Sequence, residues 1–523
     1  MQRLPRPQQL TPTLLGELTG VRDGTLRWHG EADPELSVTG ITAGSQFVVV
    51  GDVFVGVAGG KAHGASFAPA AVAAGARAVI TDQAGVAAVP DGVPVMVADD
   101  PRALLGRLSA EIYRFPSRDL RLLGVTGTSG KTTTTFLIEA GLKAAGRVPG
   151  LIGTVATHIA GTETKLGFTT PEAPELQALL AVMRERGTTD VAMEVSSHAL
   201  ELGRVDGTEF AVAGFTNLSE DHLDFHGDMD SYFAAKRLLF TRYSQPGSWV
   251  VVADDEPDGW PERLIRGVTA ELGGGFTTVS RRPNVGNWYV SGGIQHEFDG
   301  STTFVIRRDA EFGEAHVPID AGCAIPGDYN VDNVLLALAM LAKAGVDPSR
   351  DVVDAIAHAT VPGRMEPIQT GQDYLAIVDY SHKPAAVDGA IRALRPLTRN
   401  RLIVVLGCGG DRDRGKRPHM GEIAARGADL LIVTDDNPRS EDPADIRQAM
   451  LDGALAVPVD ERGEIAEVGD RAEAIAAAVA AARPGDTVLV AGKGHELGQE
   501  IAGVVYPFDD RTVLRNAVLA AGA

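Results

Sequence analysis

Apolar positions in this chain come in short uninterrupted runs separated by glycine-rich and acidic loops. The runs at 121–126, 191–195, 211–216, 374–380, 402–406, 430–434 and 487–491 carry hydrophobic residues at nearly every position. A strand with one wet face alternates, so these runs predict strands buried on both faces, in parallel sheets covered by helices. Helical stretches at 132–145, 384–394 and 472–482 fall between them. Residues before about 118 read as smaller pieces: strands at 47–50, 52–57, 78–81 and 93–97 and an Ala-rich helix at 69–76. Residues 276–318 read as antiparallel strands with a turn at Asp299-Gly300. The pattern divides the chain at 1–118, 119–362 and 363–523, and 523 residues agree with three domains at roughly 100–200 residues each.

Composition narrows the function. Hydrophobic residues at 44% and charged residues at 22% suit a soluble protein with several cores. Lys plus Arg is 48 against 69 Asp plus Glu, a net charge of −21, which argues against a nucleic-acid-binding surface. Two cysteines, Cys323 and Cys408, exclude a disulfide framework and a four-thiolate zinc site. The 61 glycines show no Gly-X-Y period and point to tight turns and ligand-facing loops. No apolar run approaches the roughly 18 residues of a membrane span, and the first ten residues have no apolar signal core. A cytoplasmic protein without a membrane partner is expected.

The segment Gly127-Thr128-Ser129-Gly130-Lys131-Thr132-Thr133 lies between a predicted strand and a predicted helix. Glycines there let backbone N–H groups converge on phosphate oxygens at a helix N-terminus. Lys131 would reach the terminal phosphates of ATP and Thr132 would offer a hydroxyl to Mg²⁺. The spacing departs from the usual phosphate loop, which would need Gly at Val125. Glu194, at the tip of an apolar run, sits where a carboxylate commonly meets Mg²⁺, but such a residue alone is more often a helix cap or a surface acid. His222 reads equally as a hydrogen-bonded structural residue.

The phosphate loop, Phe168-Thr169-Thr170-Pro171, Glu194-Val195-Ser196-Ser197-His198 and Asp221-His222-Leu223-Asp224 together resemble the Mur ligases of peptidoglycan synthesis. So do Asn330 and Asn333, Gly363-Arg364-Met365-Glu366, Asp379-Tyr380-Ser381-His382 and Gly409-Gly410-Asp411-Arg412-Asp413. The match runs in family order from about residue 40 to about residue 510. The resemblance implies an α/β fold with a small UDP-sugar-binding N-terminal domain (1–118), a central P-loop ATPase-like domain with a mostly parallel sheet (119–362), and a Rossmann-like doubly wound amino-acid-binding domain (363–523). It also implies an ADP-forming amide ligase in which a glutamyl carboxylate is phosphorylated by ATP and the acyl phosphate is then attacked by an amine.

Residue roles follow from the resemblance. Gly127, Thr128, Ser129, Gly130, Lys131, Thr132 and Thr133 would cradle ATP, with Asn333, Arg364 and Asp379 contacting its other groups. Thr132 and Glu194 would hold Mg²⁺, and His222 sits where the family binds a second ion. Lys131, Glu194, His222 and Lys236 make up the catalytic set. Lys236 matches the family's carbamylated lysine (N6-carboxylysine). Ser45, Gly60, Lys61, Ala62, Thr169, Thr170, Ser196 and Arg204 match contacts to UDP-N-acetylmuramoyl-L-Ala-D-Glu. Two departures stand out: Gly44-Ser45-Gln46 replaces the family's usual Asp-Ser-Arg, and Leu202 replaces a commonly polar residue.

Asp436-Asn437-Pro438-Arg439 is similar to the signature of the diaminopimelate-adding members. meso-2,6-Diaminopimelate differs from lysine by a second carboxylate, and the planar fork of a guanidinium suits it. By resemblance Arg439 reads that carboxylate, while Arg412, Asp436, Asn437, Pro438, Gly492 and Glu496 complete the pocket. The expected partners are therefore ATP, the UDP-muramyl dipeptide and meso-diaminopimelate, acting on a monomer. The alternatives are a lysine-adding muramyl ligase, against which Arg439 counts, and a folylpolyglutamate synthetase-like ligase, against which the N-terminal domain counts.

Overall fold

A computed structural model describes residues 5–9, 11–60, 62–164, 169–253, 259–308 and 318–522. The chain forms two compact units, one of Met1–Ser280, Val285–Trp288 and Leu335–Val352, the other of Arg281–Asn284, Tyr289–Val334 and Val353–Ala523.

The first unit holds an N-terminal sheet, a set of central strands and the short antiparallel pair Thr13–Leu14/Ser37–Val38. The N-terminal sheet runs in the order Leu26–His29, Val95–Ala98, Ala78–Thr81, Asp52–Gly56, Gly40–Thr42, with only the first pairing antiparallel. Residues 47–50 are not a strand, contrary to the apolar run. Ser45–Phe47 is a 3₁₀ turn, Val48 alone is buried, and Val50 is 78% exposed. Helix Pro101–Ile112 packs against Ala173–Glu185 of the central region, and Ala178 and Ala181 join the N-terminal core.

The central strands run Thr162–Thr164, Thr157–Ile159, Pro149–Ile152, Asp190–Glu194, Arg121–Thr126, Val212–Phe215, Trp249–Val252, Phe276–Ser280. From Pro149–Ile152 onward the pairings are parallel, and the strands are almost wholly buried, as their unbroken apolar runs require. After Arg121–Thr126 the chain first builds one side of that strand and then, from Val212–Phe215, the other. Such a switch leaves a crevice beyond the strands' carboxyl ends, where α/β sheets bind ligands. Phe276–Ser280 pairs parallel with Trp249–Val252, which corrects the antiparallel expectation for its residues. Its partner is remote in sequence, so nothing local marked it. The antiparallel part comes later, where Thr302–Arg308 pairs with Ile319–Cys323 after the expected turn at Gly300.

The second unit's main sheet runs Glu366–Pro367, Leu375–Asp379, Thr487–Ala491, Leu402–Leu406, Leu430–Val433, Glu464–Glu467, parallel except at its first pairing. Helices Arg471–Ala481 and Asp510–Ala521 bury Ile475, Ala478, Leu514 and Val518 on one face. Arg471 and Asp510 join these helices as a fully buried pair with two 2.7 Å hydrogen bonds. Arg471 also donates to the Ala491 carbonyl at 3.0 Å, anchoring the strand end that precedes Gly492. Removing one partner of such a pair strands a buried charge and costs about 3–5 kcal/mol.

Candidate active site

The loop Gly127–Gly130 joins strand Arg121–Thr126 to helix Lys131–Ala144, with Gly127 at φ 143° and Gly130 at φ 86°. A Cβ on Gly127 would lie 1.8 Å from Thr216 Oγ1, so only glycine fits. The segment after Val212–Phe215 shapes the loop: Thr216 Oγ1 donates to the Ser129 carbonyl at 2.6 Å, and Ser129 N donates to Asn217 Oδ1 at 3.1 Å. Thr128 N donates to the Asn217 carbonyl at 2.9 Å.

Two lysine side chains meet at this loop. Lys131 Nζ and Lys236 Nζ each donate to the Gly127 carbonyl at 2.8 Å. Lys236 is 1% exposed on helix Met229–Thr241, and its Nζ lies 4.4 Å from the centroid of the Tyr232 ring. Burial first, and then the Lys131 charge, hold its pKa well below the ordinary lysine value, with Asp221 opposing. The loop thus brings the Lys131 cation to where a polyanion would sit, while the buried Lys236 amine is biased toward its neutral form.

Glu194 ends strand Asp190–Glu194, beside Val125, and is 1% exposed. Its Oε1 accepts from Thr132 Oγ1 at 3.0 Å and from Thr154 N at 2.8 Å. A hydroxyl and a carboxylate at the loop's mouth are hard oxygen donors of the kind Mg²⁺ prefers. His222 has a left-handed backbone and a half-exposed ring packed edge-on against His198, with centroids 4.7 Å apart. Among the described residues no group of three or more His, Cys, Asp or Glu side chains is arranged to hold a metal ion.

The predicted dipeptide contacts split into two groups within this unit. Thr169, Thr170, Ser196 and Arg204 gather around Glu194: Thr170 Oγ1 donates to the Glu194 carbonyl at 3.0 Å and Ser196 N donates to Thr170 Oγ1 at 3.2 Å. Arg204 Nη1 donates to the Thr170 carbonyl at 3.3 Å, its Nε faces Glu172 at 2.9 Å, and Thr154 Oγ1 donates to Thr169 Oγ1 at 2.9 Å. Ser45, Gly60 and Ala62 instead lie in loops after the adjacent parallel strands Gly40–Thr42 and Asp52–Gly56, at one edge of the N-terminal sheet. Lys61 and Phe168 lie outside the described residues.

In the second unit, Asn333 donates to Asn330 Oδ1 at 2.9 Å, and both are buried. Asp379, at the tip of its strand, accepts from Met365 N at 2.7 Å and Ser381 N at 2.9 Å. Arg364 stacks over Tyr380, 4.6 Å from its ring centroid. Gly363 packs so closely on Gly494 that a Cβ would meet its backbone at 2.1 Å, which brings the Arg364 segment against the Gly492–Glu496 segment.

Of the predicted acceptor residues, Asp436, Asn437, Arg439 and Glu496 share a hydrogen-bonded network with the hairpin residues Gln499 and Glu500. Asn437 Nδ2 donates to Glu496 Oε2 at 2.8 Å, and Gly492 leaves room for Asp436, whose Oδ2 would be 2.5 Å from a Cβ there. Arg439 takes a left-handed backbone, φ 54°, and pairs through a bridge with Ile501 of the hairpin Gly498–Ile501/Val504–Pro507. Its Nη1 donates to the Gly410 carbonyl at 2.6 Å and its Nε faces Glu500 Oε2 at 3.3 Å. Arg412 is exposed and outside this network. Burial first, and then the Glu496 charge, raise the Tyr380 pKa, with Arg364 and Arg412 opposing.

Several contributors escaped sequence reasoning. Thr154 completes the Glu194 shell, and His198 and His226 stack around His222 and Tyr232. Burial lowers the pKa of both His198 and His226. Gln499 and Glu500 hold the 436–439 loop from the hairpin, and a lone polar residue in a hairpin carries no local mark of that.

Comparison with known proteins gives the chain's family. Family descriptions match in order along the chain: "Mur ligase family, catalytic domain" over residues 37–113, "Mur ligase middle domain" over 125–341, and "Mur ligase, glutamate ligase domain" over 363–494. The UDP-N-acetylmuramoyl-L-alanyl-D-glutamate–2,6-diaminopimelate ligase of Streptomyces avermitilis is 50% identical over 519 residues, 98% of each chain. That of Streptomyces coelicolor is 49% identical over 516 residues, again 98% of each. A solved structure of a ligase of that name superposes with a TM-score of 0.70 at 31% identity, covering 98% of this chain and 100% of the other. With relatives this similar over nearly its full length, the chain belongs to the Mur ligase family.

Proposed function

We propose that this protein is an ATP-dependent, ADP-forming ligase that joins meso-2,6-diaminopimelate to the D-Glu side-chain carboxylate of UDP-N-acetylmuramoyl-L-Ala-D-Glu. The observation that carries the reading is the contact of Thr132 Oγ1 with Glu194 Oε1 at the mouth of the glycine loop, with Thr170, Ser196 and Arg204 gathered behind it. A phosphate-binding loop and a cationic, hydroxyl-lined anion site meet at one strand tip. Relatives about half identical in sequence bear the name of that reaction.

A carboxylate is a poor electrophile, and phosphorylation gives it phosphate as a leaving group. Catalysis then consists of bringing two anions into line and offsetting their repulsion. Loop N–H groups and Lys131 would bind the triphosphate, and Arg204, Thr169 and Thr170 would orient the incoming carboxylate. Thr132 and Glu194 would hold Mg²⁺, with His222 at the rim; when bound, the ion supplies charge neutralisation between the phosphates and the carboxylate. Asn333, Arg364 and Asp379 would receive the rest of ATP. Residues 1–118 would seat the uridine end through Ser45, Gly60, Lys61 and Ala62, residues 119–362 the phosphates, and residues 363–523 the amino acid.

Lys236 is the proposed site of carbamylation. Its neutral amine would attack carbon dioxide, forming an N–C bond and releasing a proton to solvent, which converts a buried neutral amine into an anion able to face Mg²⁺. The depressed pKa supports this, because only the neutral amine is a nucleophile.

Arg439 would read the second carboxylate of diaminopimelate, beside Asp436, Asn437, Pro438, Gly492, Glu496 and Arg412. In this reading the enzyme works in the cytoplasm as a monomer. No helix among the described residues is long and apolar enough to cross a membrane. Phosphate release measured with ATP, Mg²⁺ and the UDP-muramyl dipeptide tests the reading. Release should depend on meso-diaminopimelate, and equal release with lysine would overturn the acceptor assignment.

A further inference from the structure

The acceptor network contains a cation that the proposed reaction does not use. Lys493 follows strand Thr487–Ala491 by two residues, and its side chain is 0% exposed. An ammonium taken fully out of water is tolerated only where its partners are well placed. Its Nζ donates to Asn437 Oδ1 at 2.9 Å and to Glu496 Oε2 at 3.1 Å. Asn437 Nδ2 donates to that same Glu496 oxygen at 2.8 Å, closing a triangle of three side chains. The amide orientation of Asn437 is thereby determined. Its oxygen faces the ammonium and Glu500 N, at 3.0 Å, and its nitrogen faces the carboxylate.

We propose that Lys493 is a positioning residue for the amino-acid acceptor. It locks the Asn437 amide and turns Glu496 so that both present a fixed polar surface to the incoming amino acid, and it offsets part of the Glu496 charge. The inference rests on the acceptor pocket proposed above. Without the ammonium, Asn437 Oδ1 keeps only the Glu500 N–H, and Glu496 is held by the Asn437 amide alone. The acceptor then meets a pocket that must be ordered at the moment of binding, a cost that preorganisation removes. None of the three side chains is among those assigned to ATP or the UDP-muramyl dipeptide, so the binding of both should be unaffected.

The test is Lys493→Met, which keeps most of the side-chain volume and removes the charge, and Lys493→Gln, which keeps a shorter donor. Steady-state phosphate release is measured with each of the three substrates varied in turn. The expected result for Lys493→Met is a KM for meso-diaminopimelate raised at least tenfold, with the KM values for ATP and the dipeptide within twofold of wild type. Lys493→Gln should fall between it and wild type, and it carries the test alone if the Met variant fails to fold. An unchanged acceptor KM, or a parallel change in all three, would overturn the positioning role. Wild-type enzyme without diaminopimelate-dependent turnover would instead remove the pocket assignment on which the inference stands.

Discussion

Replacing Arg439 by alanine isolates the group proposed to separate diaminopimelate from lysine. The guanidinium is held by the Gly410 carbonyl and faces Glu500, and its side chain is 24% exposed. Truncating one partner of a buried, hydrogen-bonded charge pair costs about 2–5 kcal/mol. Two features favour the lower end: partial exposure screens the contact, and Glu500 already shares the cation. A loss of about 2–3 kcal/mol corresponds to a roughly 30- to 150-fold drop in kcat/KM for meso-diaminopimelate. Lysine has no second carboxylate to lose, so its kcat/KM should change by less than about threefold, within the few tenths of a kcal/mol of an indirect effect. The preference between the two amino acids should therefore shrink by one to two orders of magnitude. Alanine inherits the same left-handed backbone, so relief of backbone strain does not enter the comparison. The assay is coupled ADP release with each amino acid varied against saturating ATP and dipeptide. An Arg439→Ala enzyme that keeps the wild-type preference would refute the argument, even if its absolute rate had fallen.

Two further outcomes follow from buried ionisable groups. Lys236→Ala should lose nearly all activity and regain part of it with formate or acetate, whose carboxylate replaces the carbamate; unchanged activity would take Lys236 out of the site. Glu175, near Thr42 and largely desolvated, has its pKa pushed up to about 6, chiefly by burial. Its folded form holds a proton that the unfolded chain releases near the ordinary glutamate value, so its contribution to stability falls as pH rises from about 4.5 to about 6. Glu175→Gln should accordingly stabilise the protein at pH 7.5, by at most about 2 kcal/mol, and change little at pH 4.5; denaturant midpoints that move equally at both values would contradict this.

Much of the architecture is legible because strands buried on both faces leave unbroken apolar runs. Residues 121–126, 402–406 and 487–491 match strands Arg121–Thr126, Leu402–Leu406 and Thr487–Ala491 end for end. The same signal misleads at Phe47-Val48-Val49-Val50, where apolar content comes without the burial that a strand would give it. Pairing direction is also invisible locally, as Phe276–Ser280 shows, since it depends on a partner some 27 positions earlier (Phe276 on Trp249). At the site, the glycine loop declares itself through φ values only glycine tolerates. Lys236 does not, because a lysine on an amphipathic helix reads as solvated until the fold closes over it. Lys493 is hidden in the same way between two glycines, and its burial arises from contacts with Asn437, 56 residues away.

The most direct test of the account is the fate of oxygen. With ¹⁸O placed in the glutamyl carboxylate of the dipeptide, an acyl phosphate requires one labelled atom to appear in inorganic phosphate for each amide bond formed. Phosphate carrying that single label, formed in step with product, is the predicted result. Product formed alongside unlabelled phosphate would contradict the mechanism.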